Sequence, residues 1–331
     1  MVQMFLISLF AVYLVTGDGL KPLPQLSSQQ PESGAEKNHS QIRVRQEPIH
    51  TPLIQVNVDL VVIYVAVVDP YGRFVIGLGP ENFQVFDEKV QQTITNFSTE
   101  DTPVSVCVVF DSSGSMGEKI QKSKEALFQF FKTANPQDEF MLITFSDRPL
   151  VIAAFTSKYE DLQNCLLLVQ KASGKTALMD ALYLGLAETK KASTSRKAML
   201  LISDGGENNS RYTKYDVKRV LKETDVQIYS IGIFEPLALR ARTPEEASGP
   251  SFLAELAEIS GGRMFSVEDV NELPDVAEKI SIELRNQYVI TYRPSNLVRD
   301  GSWRRVKVKL LAPKGLPPLS VYARTGYYAP R

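Results

Sequence analysis

The stretch Val106-Cys107-Val108-Val109-Phe110 is apolar at every position and stops abruptly at Asp111-Ser112-Ser113-Gly114-Ser115. An unbroken apolar run, rather than an alternating one, is the mark of a central parallel strand covered on both faces, with its polar loop at the carboxyl edge of the sheet. Strands are predicted over 104–110, which contains this run, and over 139–145, 150–154, 197–203, 226–233 and 263–267. Helical spacing falls between them. In Glu118 to Ala134 the positions Ile120, Ser123, Leu127, Phe130 and Phe131 share one face, and in Ala177 to Lys191 the residues Leu178, Leu182 and Leu186 recur every four positions. A last helix is expected over about 269–286. Alternating strands and helices predict an α/β fold with a Rossmann-like, doubly wound, mainly parallel sheet. The amino end of the helix after Thr176 is expected to offer unpaired backbone N–H groups to an anionic ligand.

Either side of this region the period changes to that of strands. Ile54 to Val68 is rich in β-branched residues, Asp69-Pro70-Tyr71-Gly72 reads as a turn, and Phe83 to Phe86 and Ile94 to Phe97 alternate. Strands return in Gln287 to Tyr292, Arg305 to Leu311 and Ser320 to Ala323. Sheets of two or three strands are marginal alone, so 51–100 and 287–331 are expected to complete one small all-β sandwich, with an α/β domain over 103–286 inserted into it. Residues 18–50, rich in Pro, Ser, Gln and Glu, predict a flexible linker. The apolar segment ending at residue 17 is shorter than the roughly 20 residues that span a bilayer, so 1–17 is expected to be a signal peptide. The stretch Phe234 to Pro250 is long for a connection and is expected to be a disordered surface loop, with an approach to the ligand rim as the alternative.

Composition narrows the partners. The 331 residues carry a formal net charge of -1, with 44% hydrophobic and 23% charged positions, which suits a globular chain of about two domains. Without long basic runs, no nucleic-acid partner is expected, and membrane attachment is expected only through the amino-terminal segment. Cys107 and Cys165 form no spacing motif and are expected as free thiols. Lys122, Lys124 and Lys132 read as a wet helix face.

The strand end at Asp111, Ser113 and Ser115 offers three hard oxygens to one cation, suited to Mg²⁺, Mn²⁺ or Ca²⁺ rather than Zn²⁺. Here the chain resembles the von Willebrand factor A family, whose metal-ion-dependent adhesion site (MIDAS) carries Asp-x-Ser-x-Ser followed by a distant Thr and a distant Asp. Asp111, Ser113 and Ser115 match the first motif, Thr176 in Ser173-Gly174-Lys175-Thr176 the second, and Asp204 in Leu201-Ile202-Ser203-Asp204-Gly205-Gly206 the third. The flanks, with Asp69-Pro70-Tyr71-Gly72-Arg73, Leu284-Arg285-Asn286-Gln287-Tyr288 and Gly326-Tyr327-Tyr328-Ala329-Pro330, are similar to the bacterial group described as the Acidobacteria type. The resemblance implies an exported protein, periplasmic, cell-surface or secreted, with a metal site at Asp111, Ser113, Ser115, Thr176 and Asp204. Taken singly, Ser113, Ser115 and Thr176 also suit helix caps, and Asp204 suits the start of a turn.

Enzymatic classes find little support. Ser173-Gly174-Lys175-Thr176 imitates the end of a phosphate-binding loop, but Val169 stands where its first Gly is required, so no nucleotide is expected. Ser113 lacks the Gly-x-Ser-x-Gly elbow of a hydrolase. The two histidines, His39 and His50, lie in or beside the linker, where they serve neither a Ser-His-Asp relay nor a histidine zinc site. The expected function is binding: a divalent ion bridges the chain to an Asp or Glu carboxylate of a protein partner. A metal-independent envelope scaffold, and after it a metal-assisted hydrolase, are the alternatives.

Overall fold

Eight consecutive buried residues make β5 (Val104–Asp111) the middle of the molecule, and the reason is visible in its alternation. Val104, Val106, Val108 and Phe110 face one hydrophobic cluster, while Cys107 and Val109 face a second on the other side of the sheet. In this computed structural model the described residues are 59–169, 173–234 and 248–331. The expected signal peptide and linker, together with His39 and His50, lie outside them.

The central sheet contains β5, β6 (Glu139–Phe145), β7 (Pro149–Thr156), β8 (Arg196–Ser203), β9 (Val226–Ile233) and β10 (Met264–Val267). They are ordered β10-β9-β8-β5-β6-β7, and all neighbours are parallel except β6 and β7. The helices α1 (Lys119–Lys132), α2 (Tyr159–Leu168) and α6 (Leu273–Arg285) cover one face. The other face is covered by α3 (Leu178–Glu188), α4 (Lys214–Lys222) and α5 (Gly249–Ser260). This is the doubly wound α/β arrangement predicted from the pattern. The predicted helical faces are the buried ones: Ile120, Leu127, Phe130 and Phe131 enter the first cluster, and Leu178, Leu182 and Leu186 the second. Each such side chain contributes roughly 1.5–3 kcal/mol by leaving water.

The chain enters the sheet at β5, builds outward through β6 and β7, then crosses back to lay β8 on the opposite side of β5. The carboxyl end of β5 is thus a topological switch point, where the connections to its two neighbours diverge and leave a crevice.

The flanking segments form two antiparallel sheets. One, ordered β13-β1-β11-β4, joins β1 (Val61–Val68) and β4 (Ile94–Ser98) to β11 (Tyr288–Tyr292) and β13 (Ser320–Ala323). The other, ordered β14-β12-β2-β3, joins β2 (Phe83–Asp87) and β3 (Val90–Gln92) to β12 (Trp303–Leu310) and β14 (Gly326–Tyr328). Each sheet takes strands from both ends of the described chain, and they share a core of Ile63, Val65, Phe83, Val85, Tyr288, Ile290 and Tyr292. Asp87 closes that core, accepting hydrogen bonds from Tyr292 Oη at 3.0 Å and Tyr327 Oη at 2.8 Å. Among the described residues, no helix is long and apolar enough to cross a membrane.

The two cysteines are free, as expected. Burial pushes the Cys107 thiol far above its ordinary range, consistent with a small apolar filler rather than a reactive group. The lysine face is corrected at one position. Lys124 is buried and its ammonium donates to the Val169 carbonyl at 2.5 Å.

Candidate metal centre at the carboxyl edge

Three loops meet at the switch point, and backbone hydrogen bonds stitch them together. In the first, Ser112 N–H donates to the Phe145 carbonyl at 2.8 Å and Gly114 N–H to the Gly174 carbonyl at 3.2 Å. The second is held by Ala177 N–H on the Ser146 carbonyl at 2.8 Å, and by Lys175 N–H on Asp147 Oδ1 at 2.8 Å. The third closes on the second, with Asn208 N–H donating to the Thr176 carbonyl at 3.0 Å while Thr176 N–H donates to Asn208 Oδ1 at 2.8 Å. Gly174, at φ +90, follows a path open to few side chains, and a Cβ there would stand 2.6 Å from Asp147 Oδ2.

Asp111, the last residue of β5, is fully buried. Its Oδ1 accepts the Ser113 N–H at 2.9 Å and its Oδ2 the Ser203 hydroxyl at 2.6 Å. Ser113 and Ser115 hydroxyls stand 3.1 Å apart, the first buried and the second exposed, so the cluster opens to solvent at Ser115. Asp204, 8% exposed, follows β8 directly, and its Oδ1 accepts the Gly206 N–H at 3.2 Å. Thr176 lies beside it: a Cβ built on Gly206 would be 3.3 Å from Asp204 Oδ1 and 3.5 Å from Thr176 Oγ1. All five residues singled out in the sequence therefore come to one sheet edge.

Electrostatics bind the two carboxyls into one unit. Burial, and then the neighbouring Asp204 charge, push the Asp111 carboxyl up to about 7, against the pull of its hydrogen bonds from Ser113 and Ser203. On the opposite side, Lys119 Nζ reaches Asp204 Oδ2 at 3.4 Å. Among the described residues no group of three or more His, Cys, Asp or Glu side chains that could hold a metal ion converges, and the candidate donors at this edge are two carboxylates and three hydroxyls. That set fits a hard divalent ion: the carboxylates match its charge, and neutral hydroxyls fill positions without adding more.

Two expectations need correction. The amino end of α3 is not free for a ligand, because Met179 N–H donates to Glu207 Oε2 at 3.0 Å and Asp180 N–H to Ser210 Oγ at 3.2 Å. Glu207 and Asn208 tie the second loop to the third. Lys119 and Ser203 went unmarked because each looks ordinary in its own element. Of the stretch expected to be a loop, Phe234 and Gly249 both pack on Gly205 and Gly249 already begins α5, while 235–247 lies outside the described residues.

The chain belongs to the von Willebrand factor type A domain family, whose model matches residues 105–279. Domains of this family commonly mediate protein–protein interaction and often bind a divalent metal. Among relatives, inter-alpha-trypsin inhibitor heavy chain H4 of Bos taurus is 26% identical over 219 residues, covering 60% of this chain and 22% of that protein. An uncharacterized protein of Borreliella burgdorferi is 24% identical over 184 residues, covering 50% of this chain and 54% of that protein. The chain thus spans about a fifth of the bovine relative's length. A von Willebrand factor type A protein of Catenulispora acidiphila superposes with TM-score 0.47 at 13% identity, covering 82% of this chain and 75% of that one. Proximal thread matrix protein 1 of the mussel byssus, solved with a zinc-occupied MIDAS motif, superposes with TM-score 0.47 at 18% identity, covering 60% and 50%.

Proposed function

We propose that this chain is an exported binding module in which Asp111, Ser113, Ser115, Thr176 and Asp204 hold one hard divalent cation, Mg²⁺ or else Mn²⁺ or Ca²⁺. Its ligand is an Asp or Glu carboxylate presented by a protein partner. The observation that carries this is the meeting of the five oxygen donors at one sheet edge, with the Ser113 and Ser115 hydroxyls 3.1 Å apart next to buried Asp111 and Thr176 beside Asp204. A buried acid close to a second acid is a charge arrangement that a divalent ion relieves. When bound, the ion supplies a positive pole for the partner's carboxylate. Asp111 and Asp204 supply the anionic oxygens, Ser113, Ser115 and Thr176 the neutral ones, and Ser115 stands where the cluster meets solvent. The stitched loops hold these donors before any partner arrives, which limits the entropy lost on binding.

The test is calorimetric titration of the full chain with Mg²⁺, Mn²⁺, Ca²⁺ and Zn²⁺, beside Asp111→Ala and Asp204→Ala, followed by partner capture in Mg²⁺ and in chelator. Expected are one site per chain, loss of at least about tenfold in affinity in each variant, and chelator-sensitive capture. Capture unaffected by chelator and by both substitutions would move the interaction to the β-sandwich and overturn the proposal.

A further inference from the structure

Lys119 opens α1 just beyond the Asp111 to Ser115 loop, and its side chain is only 10% exposed. Lysines are seldom buried without a partner, because the ammonium gives up strong hydration. Here the partner is Asp204 Oδ2 at 3.4 Å, one of the anionic oxygens of the candidate metal centre. Its neighbours on α1 turn elsewhere, Lys122 to Glu125 at 2.9 Å and Lys124 to the Val169 carbonyl. The other oxygens of the carboxylate pair receive neutral donors: Gly206 N–H on Asp204 Oδ1, Ser113 N–H and the Ser203 hydroxyl on Asp111.

We infer that Lys119 is a tethered cation that competes with the divalent ion for Asp204, so that it sets the metal affinity of the centre. This role rests on the assignment of the five oxygen donors to a cation site. An ammonium and a divalent ion repel each other across one carboxylate, and the low exposure of the site leaves that repulsion poorly screened. Metal entry therefore requires the lysine head to swing away from Oδ2, a movement its four-carbon stem allows. The ion pair is lost in that step, and its loss is subtracted from the gain of binding the metal. The consequence is a centre that stays charge-compensated at low divalent concentration and fills only above a threshold set by this side chain.

The experiment is titration of the full chain with Mg²⁺ and with Mn²⁺, comparing the wild type with Lys119→Met, Lys119→Gln and Lys119→Arg, each also melted in chelator and in saturating Mg²⁺. The two uncharged variants are expected to bind both ions roughly tenfold more tightly. They should melt below the wild type in chelator but not in Mg²⁺, widening the metal-induced shift, while Lys119→Arg stays near the wild type. A lysine that merely supports the fold would lower both melting points equally and leave affinity unchanged. That result, or weaker binding in cooperatively melting Met and Gln variants, overturns the inference while leaving the metal centre in place. Wild type and variants that all fail to bind any divalent ion would overturn the metal centre itself and this role with it. Adding Asp111→Ala to Lys119→Met should abolish the tighter site; binding that survives it would place the ion elsewhere and reject the competition.

Discussion

At the scale of the residue, the charge on Asp111 governs how the centre responds to pH. Its carboxyl titrates near 3.8 when unfolded and is raised to about 7 in the fold by burial and by Asp204. A raised pKa means the folded state holds the proton more tightly, so this group's stabilisation is complete below about pH 4 and is lost as pH rises through about 7. In chelator, the melting temperature of the wild type is expected to fall over that window relative to Asp111→Asn, whose amide does not titrate. The rise in melting temperature produced by Mg²⁺ should grow over the same window, since the ion binds the deprotonated form. Parallel pH profiles for wild type and Asp111→Asn in chelator would refute this. The candidate donors were legible in the sequence because oxygen-bearing side chains interrupt apolar runs at Asp111 and Asp204. Lys119 was not, because a lysine in the first turn of an amphipathic helix resembles Lys122 and Lys132 until the fold places Asp204 opposite it.

At the scale of the element, α5 braces the loop that carries Asp204. Gly205, at φ +77, turns the chain away from β8, and a Cβ built on Gly249 would stand 2.3 Å from the Gly205 carbonyl oxygen. Backbone there cannot yield as a flexible side chain does. Gly249→Ala is expected to cost about 1–3 kcal/mol of stability through overpacking. By shifting Asp204, it should also weaken Mg²⁺ binding by roughly tenfold. Chemical denaturation and calorimetry check both, and an unchanged affinity would show that α5 does not position the loop. The sequence displayed the strands of the sheet and the helices α1, α3 and α6 because their apolar spacing is regular. It hid α4, whose nine residues, Lys214–Lys222, bury only Val217 and Leu221. It also hid α5, because Gly249 and Pro250 at its start read as loop residues.

At the scale of the whole molecule, the sandwich is closed by a buried acid of its own. Asp87 sits between the hydroxyls of Tyr292 and Tyr327, from two different sheets, and lies within the sandwich core rather than at the switch point. Asp87→Ala strands two buried hydroxyls and is expected to cost roughly 2–5 kcal/mol. Hydrogen exchange should quicken in β1 and β11 while Mg²⁺ affinity stays within about twofold of wild type. A large loss of metal affinity would show instead that the two parts are energetically coupled. That the flanks build one sandwich was foreseeable from the marginality of small sheets, but the interleaving of their strands depends on register, which local sequence does not encode.

That interleaving also fixes an order of events at the ribosome. β1, Val-Val-Ile-Tyr-Val-Ala-Val-Val, is made early, yet both its neighbours, β11 and β13, lie near the far end of the chain. The Leu78 amide that bonds Tyr288 must await a residue 210 positions downstream. At about 5–20 residues per second that is a delay of roughly 10–40 s. Throughout it, an uncharged, β-branched ribbon, bridged locally at Val67 and Val68 to Val75 and Phe74, leaves most of both edges bare, the kind of segment that seeds aggregates unless a chaperone shields it.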